Sequence, residues 1–331
     1  MKIFITGGSG FIGTNLALHY AGETHQVTVL AKQATDTERE NAEDLRRAGV
    51  EVVCGDIRDR MLVERCCEGA EVVYHIAAAM REANISDRDF RDINVKATRQ
   101  LLEVSKQAGV RRFVHCSSIG AMGWEMTKPA NETSPCRPRD IYQVTKRVAE
   151  DVCLDFWRTE GLPISIVRPA DVYGPRDRRL LKLFKGVQKG RFAMIGSGRN
   201  EHHMVFIEDL ITGFVLASQV EAAVGQVFIV AGEEPVQLNC LVSLIARELG
   251  VGAPRLRVPL FPLQALAAVV EDACKPFKIQ PPLYRRRMDF FRTDYAFDIS
   301  KAKQVLGYQP RYDLQDGLGR TLHWYREAGL L

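Results

Sequence analysis

Through the first half of the chain, short apolar runs alternate with longer segments whose apolar positions recur every third or fourth residue. "KIFIT", "QVTVLA", "VEVVCGD", "EVVYHIAA", "RRFVHCSS" and "PISIVRPA" read as strands, rich in β-branched residues and bounded by turn formers. Between them "GFIGTNLALHYAG", "NAEDLRRAG", "MLVERCCEG", "DFRDINVKATRQLLEVSKQAG" and "YQVTKRVAEDVCLDFWRTEG" carry helical spacing. A helix between two strands carries the chain back along the sheet, so successive strands run parallel and the helices cover both faces. Such crossovers are right-handed. The pattern predicts an α/β fold built on a doubly wound parallel sheet.

Beyond residue 169 the pattern loosens. Pro and Gly punctuate "RPADVYGPRD", and "RFAMIGSGRNEHHMVF" reads as short strands joined by turns. "DLITGFVLASQV" and "LNCLVSLIAREL" read as helices with the strand "QVFIVAG" between them, and the tail as two further helical pieces. Residues 1–168 with about 203–232 are therefore expected to form the first domain. Residues 169–202 and 233–331 are expected to form a second, smaller α/β lobe that binds substrate at the carboxyl ends of the strands. Within it, "LRVPLFPLQALAAVVEDACKPFKIQPPLYRRRMDFF" holds an apolar stretch bracketed by prolines and followed by Arg285–Arg287. It reads as a buried helix of the lobe, with a lid or a membrane-surface contact as alternatives.

Composition narrows the function classes. The 331 residues exceed one ordinary compact domain, and 46% hydrophobic with 26% charged residues suits a large folded core. A net charge of +4 without a long basic run gives no nucleic-acid footprint. The eight cysteines include no C-x-x-C pair, so no metal site is expected; they read as reduced, buried thiols of a cytoplasmic protein. "MKIFITGGSG" reads as a first strand, not a signal peptide, and the longest apolar run, 260–270, is too short to cross a bilayer. His202 and His203 lack partners at metal-ligand spacing and read as surface turn residues.

"FITGGSGFIGTNLALHY" runs from strand through loop to helix, with Gly8, Gly10 and Gly13 in G-x-G-x-x-G spacing and Gly7, Gly10 and Gly13 in the related G-x-x-G-x-x-G. Glycines there permit a tight turn and close approach to a pyrophosphate, which meets the positive end of the helix. NAD binders hold the adenosine ribose with an acid at the end of the second strand. Here Ala31 stands in that place with Lys32 beside it, which points to the 2′-phosphate of NADP, with NAD left possible. Asp56, closing the third strand, is placed to bond the adenine amine.

"IYQVTKRVAED" sets Tyr142 and Lys146 four residues apart, on one face of a helix. A free phenol ionises near pH ~10, and a neighbouring cation favours its charged form, giving an acid or base able to move a hydroxyl proton. Among the nine tyrosines only Tyr142 has a lysine four residues on.

Taken in order, the glycine loop, "GDIRD", "HIAAAM", "NVKAT", "CSSIGAMG", "YQVTK" and "VRPADVYGPRD" make the chain resemble the extended short-chain dehydrogenase/reductase family over essentially its whole length. The wording is most similar to the NAD-dependent epimerase/dehydratase members akin to 3β-hydroxysteroid dehydrogenase and dihydroflavonol reductase. The resemblance implies a Rossmann-type sheet and a dimer formed through the long helices near 90–108 and 141–160. It implies catalysis by Ser118, counted from Gly123 in preference to Ser117, with Tyr142, Lys146 and Asn94. The cofactor would be held by Gly7, Gly10, Phe11, Ile12, Gly13, Lys32, Asp56, Ile57, Ala77, Ala78, Ala79, Tyr142, Lys146, Pro169 and Val172. Met80, Ser118, Ile119 and Asp171 would face a small-molecule substrate.

The chain departs from sugar-nucleotide members at three places: Met122 where they often carry tyrosine, Asp171 where they place asparagine, and His202 where they carry a diphosphate-holding arginine. The expected activity is hydride transfer between a nicotinamide and a secondary alcohol or ketone, with an apolar, sterol-like substrate as one reading. A nucleotide-sugar epimerase or dehydratase is the alternative, and a dinucleotide sensor without turnover is a third reading.

Overall fold

The computed structural model describes residues 1–80, 85–123, 127–274 and 290–331, which form two compact units. Unit one comprises Met1–Ala170, Ile207–Val230 and Asp298–Gln309; unit two comprises Asp171–Phe206, Ala231–Phe297 and Pro310–Leu331.

Unit one is a seven-stranded parallel sheet. Its strands are β1 (Lys2–Thr6), β2 (Gln26–Ala31), β3 (Glu51–Cys54), β4 (Val72–His75), β5 (Arg112–Cys116), β6 (Ile164–Pro169) and β7 (Val227–Val230). The spatial order is β3-β2-β1-β4-β5-β6-β7, so the winding direction reverses between β1 and β4. At such a switch point the loops after two neighbouring strands part and leave a crevice at the carboxyl edge. The inner strands β4 and β6 are buried along their whole length, as two covered faces require.

Helices α1 (Phe11–Gly22), α2 (Asp36–Arg47), α3 (Arg60–Cys67), α4 (Ala97–Gln107), α5 (Ile141–Glu160) and α6 (Ile207–Gln219) complete the unit. α1 packs with α6, and α4 packs with both α3 and α5. α2 starts earlier than its apolar spacing suggests, because Thr35 and Glu38 form a reciprocal cap. The segment expected as one long helix before residue 108 is helical without a break from Asp87 to Gln107, with a π turn, Asp92–Lys96, within it just ahead of α4.

Residues 298–309 pack in unit one, not in the second lobe to which their sequence pattern assigned them. Lys301 donates to the Val227 carbonyl at 2.9 Å and lies 4.9 Å from the Phe228 ring centre, and the Asp298 amide bonds the Ala130 carbonyl. Residues 203–206, assigned to the first domain, instead pair as a short strand in unit two.

Unit two is made of short two-stranded pairs, among them Asp171–Tyr173 with Met204–Phe206 and Glu201–His202 with Val236–Gln237. Its helices include Leu181–Gln188, Leu238–Leu249, Leu260–Cys274 and Leu314–Glu327. Arg285–Arg287 lie outside the described residues. All eight cysteines are free thiols. Cys66, Cys67, Cys116 and Cys153 are buried as expected, whereas Cys54 and Cys240 are exposed. Burial pushes the Cys66 thiol up to about 11 and Cys67 to about 12, so both stay protonated and inert. Among the described residues no helix is long and apolar enough to cross a membrane.

Candidate active site

The first turn of α1 has Gly10 as its cap residue, and no side chain bonds its amides. Those N–H groups and the helix dipole remain for an anion. Gly7 adopts φ +70°, and a Cβ there would lie 2.8 Å from the Ala77 backbone; one on Gly13 would fall 2.2 Å from the Gly7 oxygen. A Cβ on Gly10 would meet only that oxygen, at 3.3 Å. The loop is thus pressed against the turn after β4 on one side and open at Gly10 on the other. This fits a pyrophosphate laid across Gly10 onto the amides of Phe11, Ile12 and Gly13.

At the end of β2, Ala31 is buried while Lys32 is 62% exposed, its Nζ 3.9 Å from Asp56 Oδ2. Asp56 is already gripped by Arg58, which donates through Nε at 2.9 Å and Nη2 at 2.7 Å and holds the carboxyl below the usual carboxylate range. Arg58 is a residue the sequence reading passed over, although it stands inside the "GDIRD" motif. Ile57, beside it, is buried.

The turn after β4 is anchored from beneath. Asn94, in the π turn, accepts the Ala79 amide at 2.7 Å and donates to the Ala79 carbonyl at 3.2 Å and to Thr145 Oγ1 at 3.0 Å. It therefore ties the Ala77–Ala79 turn to the helix bearing Tyr142 and Lys146. These contacts make Asn94 a positioning residue. Below it runs a second chain. The Ala77 amide donates to Thr6 Oγ1, which lies 2.8 Å from His75 Nδ1; His75 Nε2 lies 2.8 Å from Thr98 Oγ1, which donates to the Asn94 carbonyl. The direction of the last bond makes Thr98 the acceptor from His75, so Nε2 carries the proton and Nδ1 accepts from Thr6. Burial, reinforced by the Lys146 charge, pushes His75 down to about 3, which keeps it neutral.

α5 begins at a reciprocal cap: Asp140 accepts the Gln143 amide while Gln143 accepts the Asp140 amide. Tyr142 is thereby fixed in the first turn and Lys146 one turn later, both buried. Lys146 Nζ donates to the Cys116 carbonyl at 2.7 Å, at the end of β5. Next to it the two serines divide. Ser117 is buried and donates to Glu150 Oε1 at 2.5 Å, and Glu150 in turn pairs with buried Arg168. Ser118 accepts the Gly120 amide at 3.0 Å and opens the turn Ile119–Met122. A Cβ built on Gly120 would lie 3.2 Å from Ser118 Oγ and 3.3 Å from Tyr142 Cε1, so the hydroxyl and the phenol ring flank one point. Gly123, at φ +81°, closes the turn against Arg137, whose oxygen would be 2.1 Å from a Cβ there.

The remaining expected residues divide between the units. Pro169 ends β6 and is buried, Ile119 is buried, and Met80 is exposed. Asp171 and Val172 belong to unit two. There His202 and His203 are not surface turn residues; they are buried, and both fill the interior of unit two. His202 Nδ1 lies 3.3 Å from Asp171 Oδ2, Nε2 lies 3.0 Å from the Phe290 carbonyl, and the ring packs 4.4 Å from that of Phe290. Asp171 is 39% exposed and His202 0%, so a buried imidazole orients an outward carboxylate. His203 stacks on Phe297 and bonds the Gly232 carbonyl. Among the described residues no cluster of metal-ligating side chains occurs.

Known proteins are similar to this chain over most of its length. Residues 3–231 match the family model described as NAD dependent epimerase/dehydratase family. A 3beta-hydroxysteroid-dehydrogenase/decarboxylase of Arabidopsis thaliana is 28% identical, covering 96% of this chain and 78% of that protein. Sterol demethylase protein B of Methylococcus capsulatus is 28% identical and covers both chains in full. The dTDP-glucose 4,6-dehydratase of Streptomyces venezuelae, solved with NAD bound, superimposes with a TM-score of 0.81 at 26% identity over 99% of this chain and 97% of its own. With the family model spanning most of its length and the glycine loop, Ser118, Tyr142 and Lys146 in one unit, the chain is a nicotinamide-dependent enzyme of the extended short-chain dehydrogenase/reductase type and belongs to the NAD dependent epimerase/dehydratase family.

Proposed function

We propose that the protein moves a hydride between a nicotinamide cofactor and the carbinol or ketone carbon of an uncharged, largely apolar substrate, sterol-like in class. The observation that carries this is that Ser118 Oγ and the Tyr142 ring both lie within 3.3 Å of one point beside Gly120, with Lys146 fixed on the adjoining Cys116 carbonyl. Ser118 would hydrogen-bond the substrate oxygen, and the Tyr142 hydroxyl would take its proton or return it. Lys146 donates once to the Cys116 carbonyl and keeps two donors for ribose hydroxyls. When bound, the nicotinamide supplies the hydride acceptor or donor. NADP is favoured over NAD because Lys32 and Arg58, two cations around the single carboxylate of Asp56, leave a net positive charge near the end of β2, and Ala31 offers nothing to a ribose diol.

A nucleotide-sugar epimerase or dehydratase is the second reading, supported by the dTDP-glucose dehydratase likeness. Against it stand Asp171 and His202, which engage each other where a diphosphate would need cationic and neutral donors.

The experiment is a panel of sterols, other secondary alcohols and nucleotide sugars, offered with NADP or NAD and followed by nicotinamide absorbance and thermal shift, with Lys32→Ala in parallel. Turnover of apolar alcohols is expected, with a preference for NADP that falls about ten-fold in Lys32→Ala, the worth of one ion pair. Stabilisation and conversion of nucleotide sugars while every apolar alcohol fails would overturn the reading.

A further inference from the structure

Helix Leu260–Cys274 of unit two is apolar on two sides, and only one of them is used. Leu260, Leu263, Ala267, Val270 and Cys274, at helical spacing, form the inner side; Ala267 is fully buried, and Leu260 Cβ lies 3.6 Å from a Cβ built on Gly196. The outer side carries Phe261 at 80% exposure, Leu266 at 51% and Val269 at 66%, with Leu256 at 65% just before the helix. These four make up nearly half of the nine exposed large hydrophobics among the described residues, gathered in fourteen positions. By contrast the outward face of α2 is charged, presenting Arg39, Glu40, Glu43 and Arg47. Among the outward side chains described on this helix none is charged, which opposes the usual amphipathic pattern of a helix lying on a soluble surface.

The chemistry around this face selects its partner. From Leu249 to Val270 the chain carries no acidic residue, Glu271 and Asp272 coming only at the far end of the helix, and the charges at its start are the exposed Arg255 and Arg257, flanking Leu256. We propose that this face docks on an anionic phospholipid surface. The helix would lie in the plane of the interface, Phe261, Leu266 and Val269 would enter the acyl boundary, and Arg255 and Arg257 would meet lipid phosphates. Fifteen residues give a helix about 22 Å long, short of the roughly 30 Å hydrocarbon layer, so it lies on the membrane without crossing it. Between Leu249 and Val270 a second copy of the chain would offer the two arginines no acidic partner. The proposal is independent of the substrate reading: an enzyme acting on a water-soluble alcohol could use the same anchor.

Vesicle flotation tests it, with the full chain mixed with phosphatidylcholine vesicles or with phosphatidylcholine containing phosphatidylglycerol. The protein is expected to float with the anionic vesicles and far less with the neutral ones. Leu266→Glu with Val269→Glu should reduce partitioning at least about ten-fold, and Arg255→Glu with Arg257→Glu should abolish the preference for anionic lipid. Melting temperature and nicotinamide-nucleotide binding should stay unchanged in both variants, because the altered side chains face outward. No flotation on either vesicle, or equal flotation of the Leu266→Glu, Val269→Glu variant, would overturn the proposal. So would a lowered melting temperature in that variant, which means the face is packed within the chain. A concentration-dependent dimer that this variant abolishes, with no flotation of the parent protein, assigns the face to self-association instead.

Discussion

His75 and His115 sit side by side on neighbouring strands, their ring centres 5.2 Å apart, and both are buried. His75 has two hydroxyl partners, whereas neither ring nitrogen of His115 has one. Burial holds His115 well below its usual range, with neighbouring His75 and Lys146 adding to the effect, and burial also lowers His203. The sign of the linkage follows from where protons bind. Below pH 6.5, the ordinary histidine value, the unfolded chain takes up protons that the folded chain refuses. Stability is therefore complete above that pH and is lost as pH falls: for His75 from 6.5 toward about 3, by about 1.4 kcal/mol per unit, with His115 and His203 adding losses of the same sign. Denaturant titrations from pH 7 to pH 4 should show this loss, and His115→Phe, which fills the site without a titrating group, should flatten the slope. An unchanged slope in that variant would mean that His115 is protonated or solvated in the fold.

At the scale of elements, the glycine loop and α1 are a single device. Gly13 lies within α1, where propensity alone would have alanine stabilise by about 1 kcal/mol. The fold reverses that sign, since the added Cβ would meet the Gly7 oxygen at 2.2 Å and force loop and helix apart. Gly13→Ala is expected to lower the melting temperature and to weaken NADPH binding at least about ten-fold in a fluorescence titration. A raised melting temperature would show that the helix does not press on the loop. The loop, the alternating strands and the Tyr142–Lys146 spacing were all legible in the sequence, because each is local: a run of glycines, a period, an interval of one helical turn. Asn94's task was not, because Ala79 lies 15 residues away and Thr145 51 residues away. The pairing of Asp171 with His202 escaped for the same reason. A polar His-His pair just after a glycine-rich turn reads as part of that turn until tertiary packing against Phe290 and Phe297 is known.

For the whole molecule, the order of the seven strands brings together residues that stand far apart in the chain: the loop after β1, the turn after β4, the serine after β5 and α5. The sequence indicated the sheet and the family but misplaced residues 298–309, whose helical pattern says nothing about which unit they cap. Their assignment rests on contacts with β7, an edge strand supplied from late in the chain. Function at this scale depends on whether proton transfer by the phenol can be separated from the binding of the nucleotide. Tyr142→Phe removes one oxygen and leaves the ring beside Gly120, α5 and the glycine loop in place. The decisive measurement is therefore kcat for the best alcohol of the panel alongside NADPH affinity, in wild type and Tyr142→Phe. A fall in kcat of about 10²- to 10⁴-fold with nucleotide affinity within about two-fold is expected; full turnover in the variant would contradict a catalytic Tyr142.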